Sequence, residues 1–92
     1  MNKERRKSLN ELKDRLETIS FELETIYDEI ESLKNEEQEY LDNIPENLQN
    51  SQRAESSQYA IDDLEDTLGY LEDSKSQLEN AINDLESAIE QE

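Results

Sequence analysis

Tyr59, Asp63, Asp66, Tyr70 and Asp73 recur at steps of four, three, four and three residues, the spacing of one helical face. Asp62, Glu65 and Glu72 flank them. Tyrosines are enriched at binding hot spots, and ionised carboxylates form charge-assisted pairs with arginine and lysine. The chemistry open to such a face is recognition of a basic surface, with Tyr59, Asp62, Asp63, Asp66, Tyr70 and Asp73 as the candidate partner-binding residues. The competing reading is a solvated face with scattered aromatics, which is common on protein surfaces.

Covalent chemistry finds little to work with. The 92 residues include no His, no Cys and no Trp, which removes imidazole, thiolate and disulfide chemistry. One glycine is too few for the phosphate-cradling loops of the dinucleotide or P-loop type. A calcium loop with its central glycine is missing for the same reason. Asp62, Asp63 and Asp66 could hold a divalent cation loosely, but on a solvated helix they are expected to gather diffuse counterions. Carboxylate pairs abound, yet two helices form no concave, water-excluding pocket in which a carboxylate pKa could be raised. The chain reads as non-enzymatic, with no catalytic residue, no cofactor and no metal site expected.

Charge is the strongest compositional signal. The formal net charge is −17, from 26 carboxylates against nine lysines and arginines. Residues 1–15 carry a net +3, whereas residues 16–92 keep only Lys34, Arg53 and Lys75 against 23 carboxylates, a net −20. On a hairpin about 50 Å long at 1.5 Å per residue, that approaches the linear charge of duplex DNA within a factor of two. Such a surface should repel nucleic acid and anionic membranes and attract basic proteins. No run of 18 apolar residues occurs, so no membrane span is expected. No apolar segment follows the charged Met1–Lys7 stretch, so no signal peptide is expected either, and the predicted location is the cytoplasm.

The elements that must carry these residues are two helices. Leu9, Leu12, Leu16, Ile19, Leu23, Ile26, Ile30 and Leu33 alternate at three and four residues, continuing through Glu37, Tyr40 and Ile44. A second run is Ile61, Leu64, Leu68, Leu71, Lys75, Leu78, Ile82, Leu85 and Ile89. This is the heptad pattern of coiled coils, and a disordered acidic tail would not keep it in register. The predicted fold is all-α: an antiparallel two-helix coiled-coil hairpin, expected to dimerise into a four-helix bundle. The single domain, 1–92, divides into a basic arm or frayed turn over 1–7, helix 1 over 8–43, a hinge over 44–50 and helix 2 over 51–90. Ser8-Leu9-Asn10-Glu11 is a capping box that would start helix 1. Pro45 ends that helix near Asp42 or Asn43, and Ser51 caps the second. Asn43, Pro45, Asn47 and Ser51 are the hinge residues.

Antiparallel packing sets Glu65, Glu72, Glu79 and Glu86 against Lys13, Ser20, Tyr27, Lys34 and Leu41. On the other flank Arg15, Glu22, Glu29 and Glu36 would meet the small row Ala60, Thr67, Ser74, Ala81 and Ala88. Folding back also brings Lys3 to Lys7 beside Glu86, Glu90 and Glu92, which relieves two unfavourable helix dipoles. Glu37 and Lys75 interrupt the seam; their stems are expected to pack while their heads reach water. A bundle would form through Ala60, Ala81 and Ala88, or through Tyr27 and Leu41.

The segment Glu39-Tyr40-Leu41-Asp42-Asn43-Ile44-Pro45-Glu46-Asn47-Leu48-Gln49, with Ser51 following, resembles the hinge of a group of small acidic coiled-coil proteins. That group is found in bacteriophages and mobile elements of Gram-positive bacteria. The similarity extends into Ala60-Ile61-Asp62-Asp63-Leu64-Glu65. The resemblance implies an accessory or counter-defence role in the host cytoplasm and assigns no catalytic residue. The leading expectation is an acidic protein-binding inhibitor of a basic nucleic-acid-binding host protein, such as a defence or transcription factor, acting by nucleic-acid mimicry. The alternative is a structural or adaptor coiled coil that scaffolds an oligomer.

Overall fold

The computed structural model describes residues 1–91, and Glu92 lies outside them. Two long helices, α1 (Lys3–Asp42) and α2 (Gln52–Glu90), pack against each other as an antiparallel hairpin, joined through a single 3-10 turn at Glu46–Leu48. The rod measures 70 × 15 × 13 Å. It is longer than the 50 Å expected, which spreads the −20 of residues 16–92 to one charge per about 3.5 Å, half the density of duplex DNA.

α1 begins at Lys3, not at Ser8. Asn2 Oδ1 accepts the Arg5 backbone N–H at 2.7 Å, making Asn2 the N-cap and leaving the 8–11 capping box inside the helix. Residues 3–7 are therefore helical, in keeping with an extra turn and not with a separate basic arm. Arg6 pins them, its Nη2 donating to the Gln91 carbonyl at 2.7 Å. This contact lays the start of α1 beside the end of α2, as folding back predicts; Glu92 is outside the described residues. At the other end Asp42 is the last residue of α1 and Pro45 precedes the 3-10 turn. Leu48 N–H donates to the Pro45 carbonyl at 2.8 Å, and Ser51 Oγ accepts from Ala54 N–H at 3.3 Å to start α2. Asn43 closes α1, its N–H bonded to the Glu39 carbonyl, and Asn47 lies within the turn.

Lys13–Glu86 at 3.4 Å and Lys34–Glu65 at 4.0 Å set the register, joining the expected rows on one flank. α2 buries its seam: Ile61 is 1 % exposed, and Ala54, Ser57, Leu68 and Ile82 are buried beside it. α1 does not use its seam as the heptads predict. It is turned so that Leu9, Leu16, Leu23 and Ile30 pack together with Lys13, Ser20, Tyr27, Lys34 and Leu41, all half-buried. Leu12, Ile19, Leu33 and Tyr40 are left 43–59 % exposed. The turn lets the lysine stems cover apolar surface while their ammonium groups reach Glu86 and Glu65. Exposed ion pairs contribute at most about 1 kcal/mol each. Half-burying each of four large apolar side chains would contribute about the same. The lone hairpin is thus left with a stripe its own ion pairs do not offset. Tyr27 and Leu41 lie half-buried in the row that meets the α2 glutamates, as antiparallel pairing predicts, and so are not the outer docking face that is one of the two options for a bundle.

Both polar seam residues find partners. Ser57 Oγ donates to Glu37 Oε1 at 2.8 Å beside the hinge, and Lys75 Nζ lies 3.1 Å from Glu24 Oε2. The Glu37 head is held by Ser57 where a solvated head is expected, whereas Lys75 meets an exposed Glu24 at the surface, in keeping with a packed stem and a head that reaches water. Gly69 is exposed in the middle of α2, and a Cβ built on it meets nothing within 4 Å. Gly69→Ala is expected to raise stability by about 1 kcal/mol, the helix-interior difference between the two residues. An unchanged or lower melting temperature would mean that Gly69 serves a bend or a contact.

Candidate protein-binding face

α2 places the candidate residues on its outer side. Tyr59, Asp66 and Asp73 share one row opposite the seam, Asp63 and Tyr70 the adjacent row, and Asp62 borders them. Tyr59 is 67 % and Tyr70 73 % exposed, and all four aspartates are exposed. From Tyr59 to Asp73 the face runs about 20 Å at 1.5 Å per residue. The sequence groups these residues by spacing, and a straight helical α2 brings them onto one surface. None of the four aspartates is engaged in an ion pair among the described residues. Asp62 Oδ1 accepts from Gln58 Nε2 at 3.0 Å, a contact within the helix. Carboxylates so placed are free to meet an external arginine or lysine, with the tyrosine rings as apolar anchors between them.

Two other surface features stand out, and only the outward Phe21 of the second is legible in the sequence. A shallow depression beside Tyr70 and Asp73 is closed by Ser74, Gln77 and Leu78, which gives the lower tyrosine an apolar neighbour. A groove of about 770 Å³ opens along the helix junction where Ser20 is too small to fill the space near Ile82. Phe21, 76 % exposed, lines it together with Glu17, Glu24, Lys75 and Glu79. The signal for this groove was a lone serine in the interface row of α1. No group of three or more His, Cys, Asp or Glu side chains among the described residues is placed to hold a metal ion.

The Tyr27 phenol is shifted by its surroundings. Partial burial against α2 raises the Tyr27 phenol above its ordinary 10, with Glu72, Glu31 and Asp28 adding to the effect. A phenol raised in the folded chain favours folding below its unfolded pKa, and that contribution fades as pH rises from about 10. Tyr27→Phe is therefore expected to flatten the loss of stability above pH 10 measured by thermal melting. An identical alkaline slope in both proteins would place Tyr27 in solvent.

No helix of the described residues is long and apolar enough to cross a membrane. No family model, curated protein or solved structure matches the chain.

Proposed function

We propose that this chain is a non-enzymatic acidic module that binds a basic, nucleic-acid-binding protein through the outer face of α2. The observation that carries the reading is the unpaired carboxylate face, interleaved with two exposed tyrosines and pointed away from the hairpin seam. The net charge of −17 supports it through attraction to basic partners. At half the linear charge of duplex DNA, the rod imitates a nucleic acid incompletely. Inhibition by occupying a basic groove then draws on the tyrosine anchors as well as on charge. The hinge resemblance supports a phage or mobile-element accessory protein acting in the cytoplasm of a bacterial host, with counter-defence as its role.

The experiment is affinity capture on the immobilised protein from a bacterial lysate, followed by elution with duplex DNA and, separately, with salt. The expected result is a captured nucleic-acid-binding protein released by DNA and, steeply, by moderate salt. A partner that neither displaces would sink the mimicry. The scaffold reading draws on a different observation, the exposed apolar stripe of α1.

A further inference from the structure

Leu12, Ile19, Ile26, Leu33 and Tyr40 lie seven residues apart on α1, on the flank away from the Lys13–Glu86 and Lys34–Glu65 pairs. Tyr40 borders Arg53, Ser56 and Ser57 of α2, so this flank continues onto the small row Ala60, Thr67, Ser74 and Ala81, which is exposed. The result is one face about 40 Å long and two helix diameters wide, on the order of 800 Å². That is the area each partner contributes to a standard specific interface.

We infer that this face seats a second copy of the chain, with the two α1 helices antiparallel about Ile26, forming a four-helix bundle. Three observations select that occupant and that direction. The α1 stripe is symmetric about Ile26, and the small row, with Ala88, is symmetric about Ser74. The two centres are level, because the ion pairs place residue 26 opposite residue 73. A two-fold axis there superposes the positions of both rows on themselves, setting Leu12 on Tyr40, Ile19 on Leu33 and Ile26 on Ile26, with small residues on small residues, as an isologous interface requires.

Charge decides the direction. At the open end of the hairpin, residues 1–15 carry +3 and residues 84–92 carry −4, a net −1. At the hinge end, residues 37–62 hold six carboxylates and Arg53, a net −5. The antiparallel dimer sets each −1 end on a −5 end. A parallel arrangement would stack −5 upon −5. The row of Tyr59 and Asp66, opposite the seam, stays uncovered in the antiparallel dimer, while Tyr70 borders the dimer row beside Ser74; the inference rests on the α1 stripe and not on the proposed binding role.

The test is sedimentation equilibrium of the full chain, with nitroxide distances from single-cysteine variants, which are unambiguous because the chain has no Cys. A dimer at micromolar concentration is expected, tightening as salt screens the like charges. Ile19→Gln with Leu33→Gln should keep its helicity, since both sites are half exposed, and weaken association at least about 100-fold. Tyr59→Ser should leave association unchanged. In the antiparallel dimer, labels on E11C should lie about 45 Å apart and labels on T25C under about 20 Å, from the 1.5 Å rise. A strict monomer would overturn the inference and leave the stripe to another partner. So would two short distances, or a dimer that the tyrosine variant breaks and the glutamine variant does not.

Discussion

Ile61→Ala is expected to destabilise the hairpin by about 2–5 kcal/mol, whereas Ile19→Ala shifts it by no more than about 0.5 kcal/mol. Both isoleucines occupy the same kind of place in the sequence, a core position in a 3-4 run. In the fold Ile61 is 1 % exposed and Ile19 half exposed. Truncating Ile61 removes contacts on every side and leaves a cavity between two rigid helices. Truncating Ile19 removes methyl groups that already touch water, and alanine's higher helix propensity offsets part of the loss. The pair is measured by urea unfolding at a concentration where the parent sediments as a monomer. Equal losses would mean that α1 packs through the row its heptads nominate and that Leu12, Ile19, Leu33 and Tyr40 are interior.

That comparison also shows where the sequence stops being informative. Two helices, their antiparallel sense and the facing of the Glu65–Glu86 row by the row of Lys13 and Lys34 are legible. The register that pairs Lys13 with Glu86 and Lys34 with Glu65 is not, because heptads repeat and one row can slide along the other by a heptad. Nor is the rotation of α1. Its apolar surface is three rows wide, one of them mixing Lys13 and Lys34 with Tyr27 and Leu41, and the 3-4 spacing is satisfied by either pair of adjacent rows. Only the glutamates on α2 and the reach of the lysine stems choose between them.

The seam of α2 was cut short for a related reason. Counting back from Ile61 by four and three lands on Ser57 and Ala54, which no hydrophobic pattern marks. Both are buried, since small side chains let the helices close together near the hinge and Ser57 satisfies Glu37. At the start of α1, Asn2 and Ser8 are both competent caps. The Arg6 contact with the far end of α2 is a tertiary one, out of reach of any local signal. The outer face of α2 was readable because exposure there follows from distance to the seam alone.

The carboxylates of that face should carry the largest functional effect. Replacing Asp63, Asp66 and Asp73 together with Asn removes three charges and leaves every seam residue in place. Aspartate and asparagine have similar helix propensities, so helicity should be kept. Against the captured basic partner, each desolvated charged pair contributes roughly 1–3 kcal/mol. The triple variant should thus bind at least about 100-fold more weakly, by the conversion of about 1.4 kcal/mol per factor of ten. Its affinity should also depend less steeply on salt, because fewer counterions exchange on binding. Tyr59→Ala with Tyr70→Ala should weaken binding with the salt slope unchanged, since the rings contribute apolar contact and no charge. Two distinguishable losses from one 20 Å face would fix the interface and separate its charged from its apolar part. Should the triple variant bind as tightly as the parent, the face is only solvated surface. The contact would then lie along the Phe21 groove, where Glu17, Glu24 and Glu79 offer the other carboxylates beside an exposed ring.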